Sequence, residues 1–247
     1  MSSFGRMLAV LDLFSEAEPA WTPDAIAQRL ACSLPTCYRY VRALSQAGLL
    51  RKAAAGSYVL GPRVVELDYQ MRQCDPLLRA GHTALQSLCD DTGCDVVVAE
   101  MLGDRVITTR QLRGREAVSA SFGRGRRMPL FRGMLSKTLL AWLPRARVRR
   151  LHAAHPDDAA QAHQAPTLDE LLVLLKAIRS DGYCVSIGEL DADLVGVAVP
   201  LTGTGDVAAL GVILSKPRFS TTDLQALVRR LRVAGDEIAR SIAQDAG

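Results

Sequence analysis

The sequence predicts an α+β protein in two parts: an N-terminal winged helix-turn-helix and a larger C-terminal domain with a mostly antiparallel sheet, joined by a linker helix. Three observations predict it. First, two short helical patterns, a tight turn and a third helical pattern precede two strand-like runs around a Gly-containing loop. Second, no acidic residue lies between Asp24 and Glu66, a window that holds Arg29, Arg39, Arg42, Arg51, Lys52 and Arg63. A phosphate lattice repels carboxylates, so an acid-free basic surface is what a nucleic-acid partner requires. Third, from about residue 76 β-rich runs mix with helical periodicity, the pattern of packed α+β layers. The expected divisions are 1–61, 62–75 and 76–247.

The composition allows this. A chain of 247 residues, 49% hydrophobic and 23% charged, can build two modest cores and is not disordered by composition. The net charge of +4 fits a nucleic-acid partner without requiring one, because placement matters more than the total. No run approaches the roughly 18 apolar residues of a membrane span. The start, MSSFGRMLAVLDLFSE, lacks the apolar length and cleavage site of a secretory signal. The chain is therefore read as cytoplasmic, and Cys32, Cys37, Cys74, Cys89, Cys94 and Cys184 as free thiols.

The elements follow in order. Residues 4–15 place Met7, Val10, Leu11 and Phe14 on one stripe and predict a helix. Thr22 followed by Pro23 is a start signal for a second helix over 23–31, with Ile26 and Leu30 inward. Cys32–Ser33 is a turn, with Ser33 as the cap of a third helix over 34–47 that Gly48 ends. Cys37, Val41 and Leu44 mark its inner face. The outer face carries Pro35, Tyr38, Arg39, Arg42 and Gln46, with Thr36 near the start. Arginine pairs with guanine or phosphate, Gln with adenine, and hydroxyls with phosphate oxygens. Leu49–Arg51 and Tyr58–Leu60 make a hairpin wing with Arg51 and Lys52 at its base. The candidate DNA contacts are therefore Ser33, Pro35, Thr36, Tyr38, Arg39, Arg42, Gln46, Arg51, Lys52, Ser57 and Tyr58.

Residues 62–75 form an amphipathic linker helix with Val65, Leu67 and Met71 near one side. DPLLRAGHTALQSLCDDTG is a helix with a Gly stop. CDVVVAEML and DRVITTRQL are strands split at Leu102–Gly103–Asp104. SKTLLAWLP is helical and closed by Pro144. Thr167 and Glu170 form a capping box ahead of LLVLLKAIRS. GYCVSI, LVGVAVPL and VAALGVILS are three further strands, with turn residues at Thr202–Gly205. The last helix starts near Thr221 and keeps Leu224, Leu227, Val228, Leu231, Ile238 and Ile242 at helical spacing.

The run TCYRYVRAL, then AGLLRK and SYVLGPRVVEL, resembles the IclR family of bacterial transcription regulators. The resemblance continues in MPLFRGMLSKTLLAWLP and in IRSDGYCVSIGELDADLVGVAVPL, so it covers nearly the whole chain. It implies that Thr36 and Arg39 lie on a recognition helix and that Tyr58, Leu60 and Gly61 close a wing. It also implies that 62–75 brings two DNA-binding domains together, and that the C-terminal half is GAF-like with a small-molecule pocket. Carried over by position, that pocket takes Leu130, Phe131, Met134, Leu135, Ser136, Ser186, Glu189, Gly196, Ile213 and Ser215. Ser136 and Asp193 stand where the family usually has Gly. Bulky apolar residues with Ser186 and Ser215 as neutral hydrogen-bonders suit an aromatic acid better than glyoxylate.

The implied partners are double-stranded operator DNA, a small-molecule effector, a second copy in a dimer or dimer of dimers, and RNA polymerase as a further contact. No membrane, cofactor or metal is implied. The alternative of a different class is a cysteine-based redox sensor or GAF-type reductase, which needs an accessible thiol of low pKa. Arg105, Arg110, Arg113, Arg115, Arg124, Arg126 and Arg127 form a basic stretch read as a solvated face. His152, His155, Asp157, Asp158 and His163 are read as a loop-like surface cluster. No nucleophile elbow, phosphate-binding Gly loop or H-E-x-x-H motif is present.

Overall fold

The computed structural model describes residues 2–74, 77, 81–203 and 208–245. It divides into two compact units, Met1–Asp75 and Pro76–Gly247.

In the first unit α1 spans Ser3–Leu8, with the Ser2 hydroxyl accepting from the Gly5 amide at 3.1 Å. The helix expected over 4–15 ends there. A 3-10 turn at Leu11–Leu13 follows, and the Trp21 indole N–H takes the Leu13 carbonyl at 3.0 Å, which a continued helix would have used itself. The apolar stripe survives the break: Val10 is fully buried, and Met7, Leu11 and Phe14 pack around it. Helix α2 spans Pro23–Arg29 and is capped by Thr22, whose hydroxyl accepts from the Ala25 amide. Helix α3 spans Leu34–Gln46 and buries Cys37, Tyr40, Val41 and Leu44. Gly48, at φ +73°, turns the chain out of it. Ser33 holds the capping backbone position but not the capping bond; its hydroxyl donates to Thr36 Oγ1 at 2.9 Å.

Strands β1 (Leu50–Lys52) and β2 (Tyr58–Leu60) pair antiparallel with Leu50 opposite Leu60. Trp21 adds a rung that the sequence did not announce. Its amide and carbonyl exchange bonds of 2.9 and 2.8 Å with Tyr58. Gly61 passes against the Gly48 carbonyl, so the wing closes directly onto the end of α3. Helix α4 (Arg63–Cys74) has no buried residue, and Val65, Leu67, Tyr69 and Met71 are exposed along it.

The second unit is a six-stranded sheet covered on both faces. Its strands are β3 (Asp95–Leu102), β4 (Arg105–Leu112), β5 (Arg127–Met128), β6 (Cys184–Ile187), β7 (Leu194–Leu201) and β8 (Ala208–Ser215). The order is β5-β4-β3-β8-β7-β6, and every pairing is antiparallel. One face packs on α5 (His82–Thr92) and α11 (Leu224–Asp245) through Val96, Val98, Val199, Leu210, Val212, Leu85, Leu231 and Ile238. The other packs on α6 (Met134–Trp142), with α9 (Leu168–Asp181) behind it. Period-two alternation along the strands feeds the two cores.

Local signals hold where they are strongest. Gly93, at φ +65°, ends α5, and the Thr167–Glu170 capping box starts α9. That box also holds the Glu170 carboxyl below its ordinary pKa, through the Thr167 hydroxyl and amide. Helix α6 begins at Met134, two residues before the predicted start. The last helix begins at Leu224 rather than near Thr221, because Asp223 caps it by accepting from the Ala226 amide at 3.0 Å. Thr221 instead ends the short helix α10 (Lys216–Ser220). The segment read as loop-like is two helices, α7 (Arg145–Ala154) and α8 (Pro156–Ala160). The first part of the helix expected over 75–93, residues 75–80 apart from Leu77, and the turn residues Thr204 and Gly205 lie outside the described residues.

Candidate functional site

In the first unit α3 turns one face into its own core and the other outward. Pro35, Tyr38, Arg39, Arg42 and Gln46 are exposed, Tyr38 at 51%. Arg51 and Lys52 are exposed on β1. Tyr38, Arg42, Ser45, Gln46, Lys52 and Tyr58 line one groove between helix and wing. Among the described residues no carboxylate pairs with Arg39, Arg42, Arg51 or Lys52, so these cations are available to an external anion.

The other expected contacts are less free. Thr36 is half-buried and receives the Ser33 hydroxyl. Ser57 is half-buried and donates to the Ala54 carbonyl at 2.7 Å, so it fastens the wing turn. Tyr58 packs partly into the core while still bordering the groove. Ser45 was missed, although it lies three residues beyond Arg42 and faces the same groove.

In the second unit a small cavity of about 50 Å³, open to solvent, lies between the start of α6 and the inner face of β6, β7 and β8. Of the ten expected positions, Met134, Leu135, Ser186, Glu189, Gly196 and Ile213 line it. Leu130 and Phe131 are core residues instead, 3% and 2% exposed, and the Phe131 ring meets His152 at a tilt of 55° with centroids 5.5 Å apart. Ser136 turns away and donates to the Pro129 carbonyl at 2.6 Å. Ser215 lies outside the lining, at the N-cap backbone position of α10 but without a side-chain capping bond. Lining residues that sequence reasoning missed include Met128 of β5 and Ala120, Phe122, Leu190 and Asp191, the last four contributed by loops whose folding back no local pattern announces.

One of the cavity's two lining carboxylates, Glu189, is already paired. Lys137, 1% exposed, places its ammonium 2.5 Å from Glu189 Oε1 and 2.9 Å from Gln164 Oε1. The second Glu189 oxygen accepts from the Gly133 amide at 3.1 Å, at the start of α6, where the helix dipole favours a negative charge. Asp191 accepts from both the amide and the hydroxyl of Ser121, which fastens the 113–126 segment over the mouth. The arginines of that region are tied down as well. Arg113 meets Asp95 and the Val118 carbonyl, Arg115 the Asp90 carbonyl, and Arg124 the Thr109 carbonyl. The basic stretch is thus partly a set of loop fasteners rather than only a solvated face.

The four buried thiols do not favour redox chemistry. Burial pushes the Cys184 and Cys37 thiols up to about 11, and burial also raises Cys89 and Cys94. A sensing thiol needs the opposite shift. In the histidine-rich segment Asp158 accepts from the Leu130 amide at 2.5 Å, whereas the buried His152 Nε2 and His155 Nε2 have no hydrogen-bond partner among the described residues. Among the described residues no group of three or more His, Cys, Asp or Glu side chains could hold a metal ion. No helix of the described residues is long and apolar enough to cross a membrane.

A winged helix-turn-helix with a free cationic face, followed by a sheet domain holding an apolar cavity, defines a DNA-binding transcription regulator with an effector-binding domain. The model of the IclR helix-turn-helix domain matches residues 3–54, and that of the bacterial transcriptional regulator IclR C-terminal domain matches residues 73–240. The chain belongs to the IclR family of bacterial transcriptional regulators. It is 24% identical over 242 residues to the regulator KdgR of Escherichia coli, covering 97% of this chain and 92% of that one. It is 23% identical over 239 residues to KipR of Bacillus subtilis, covering 96% and 95%.

Among solved structures, an IclR-type regulator from Silicibacter sp. TM1040 superposes with a TM-score of 0.85 at 22% identity, covering 98% of this chain and 96% of that one. An IclR homolog from Microbacterium hydrocarbonoxydans complexed with 4-hydroxybenzoate superposes with a TM-score of 0.68 at 23% identity, covering 98% and 100%. These likenesses speak for the fold.

Proposed function

We propose that the chain acts in the cytoplasm as a dimer, or dimer of dimers, on palindromic operator DNA, and controls a catabolic operon in response to a small, largely apolar organic acid of aromatic type. In this reading 1–61 grips DNA, 62–75 couples two copies, and 76–247 senses the effector. The observation that carries it is the exposed, carboxylate-free face of α3 beside the wing. Arg39 and Arg42 enter the major groove, Gln46 and Tyr38 flank them, and Arg51 and Lys52 hold backbone phosphates. The exposed apolar residues of α4 pair with those of a second copy.

The cavity supports the effector class. Phe122, Met128, Met134, Leu135, Leu190 and Ile213 supply apolar walls, and the Ser186 hydroxyl supplies a hydrogen bond. Glu189 already takes the Gly133 amide at the start of α6, which leaves the remaining first-turn amides and the Ser186 hydroxyl for an entering carboxylate. The family homolog complexed with 4-hydroxybenzoate binds a molecule of this kind. To act as a switch, the acid must bind the DNA-competent and DNA-incompetent states unequally, which changes operator occupancy and hence RNA polymerase access.

Calorimetric titration with benzoate, 4-hydroxybenzoate, pyruvate and glyoxylate, with and without operator, tests this. Binding of the aromatic acids that shifts operator affinity is expected. Tight binding of the two small polar acids alone would contradict it.

A further inference from the structure

The inner face of the central strands is unusually bare. Gly196 of β7 pairs with Ile213 of β8, and two rungs along, Ala198 pairs with Gly211. On the face toward α6 the two strands therefore present Gly196, Ala198, Ala209 and Gly211, with Ile213 beside Gly196 at the cavity wall, whereas the opposite face carries Val195, Val199, Leu210 and Val212. Glycine within a strand weakens it and marks a place where another group comes close to the backbone. Here that group is a side chain of the protein itself. The Met134 thioether lies on both glycines: a methyl on Gly211 would stand 2.9 Å from Met134 Cε, and one on Gly196 would stand 2.9 Å from Met134 Cγ and run into the sulfur.

Met134 is 5% exposed and lines the open part of the cavity. It is unbranched, sits at the first position of α6 and reaches over the sheet without a polar partner. Methionine of this kind fills irregular space and changes rotamer at little cost.

We propose that Met134 is the cavity's internal occupant, a side chain that fills the ligand seat over Gly196 and Gly211 in the empty protein and swings out when an effector enters. The inference rests on the reading of this cavity as the effector site. It makes Met134 the residue that sets the threshold for binding: a ligand gains the seat only by displacing the thioether. The affinity of wild type is lowered by the fraction of time the seat is filled, and shortening the side chain removes that penalty. It also fixes the ligand's shape, because a flat group fits against two bare strand segments better than a branched one.

The test uses the full chain with toluene as a neutral probe and benzoate as an acidic one, comparing wild type with M134A and M134V. Each variant is first checked for a cooperative melt. Toluene is expected to raise the melting temperature of M134A but not of wild type, and benzoate to bind M134A about tenfold tighter, as for a seat filled roughly nine-tenths of the time. M134V is expected to fall between them and replaces M134A if that variant does not fold. In wild type with 13C-methyl methionine, the Met134 signal, assigned by its loss in M134L, is expected to shift when benzoate saturates.

A folded M134A and M134V that take up no toluene, or benzoate binding wild type and M134A equally with an unmoved Met134 signal, would overturn the proposal. Toluene uptake by M134A, with benzoate leaving the operator affinity of both proteins unchanged, would uphold Met134 as the occupant and remove the effector reading.

Discussion

The Lys137 ammonium lies 2.5 Å from the Glu189 carboxylate, and both side chains are almost wholly removed from water. Such a pair is not a cheap source of stability, because desolvating the two ions offsets most of their attraction. Its consequence is asymmetry. Removing one partner leaves the other charged and buried, whereas removing both leaves an apolar contact. K137M is therefore expected to lose about 3–5 kcal/mol in urea unfolding, and K137M/E189L clearly less than K137M and E189L combined. Additive losses would show that the two charges do not depend on each other.

The contact of Gly61 with Gly48 yields a second expectation. A methyl group at Gly61 would overlap the Gly48 carbonyl oxygen and stand 2.9 Å from its carbon. Backbone on both sides leaves nothing flexible to yield. G61A is expected to detach the wing from the end of α3 and to weaken operator binding strongly, while benzoate binding by the second unit stays within twofold of wild type. A G61A protein with wild-type operator affinity would refute the geometry assigned to the wing.

The cysteines give a pH-dependent prediction. Burial raises Cys184 and Cys37 from the ordinary thiol value of 9.0 to about 11. The folded state therefore keeps both protonated where the unfolded chain ionises. Their contribution to stability is complete below about pH 9 and is lost as the pH rises through about 11. Iodoacetamide at pH 8 is expected to label exposed Cys74 quickly and to spare Cys184 and Cys37 until the chain is denatured. Rapid labelling of Cys184 in the folded protein, with loss of operator binding, would favour the thiol-sensor alternative.

Much of the fold is legible in the sequence because its signals are local. Thr22–Pro23, the Thr167–Glu170 box, Gly48 and Gly93 each act within one helical turn, and the structure shows all four in place. The outer face of α3 is legible for the same reason, since the spacing of Cys37, Val41 and Leu44 fixes what points away from them. Contacts that depend on distant chain segments are not. Trp21 meets Tyr58 across 37 residues with no pattern linking them, and Lys137 meets Glu189 across 52.

The cavity was half legible. Six carried-over positions line it, whereas Ser136 is spent on the Pro129 carbonyl, Ser215 lies outside the lining, and Leu130 and Phe131 are sealed in the core. The helices α7 and α8 were hidden by an Ala-rich stretch broken by Pro156, where the proline starts a helix rather than ending one.

The central claim is that α3 presents Arg39 and Arg42 to DNA. The most direct measurement is fluorescence anisotropy of labelled operator DNA titrated with wild type, R39A and R42A at fixed salt. Each substitution is expected to weaken binding by about 1–3 kcal/mol, with the melting temperature and benzoate affinity unchanged. Operator affinity equal to wild type in both variants would contradict the account.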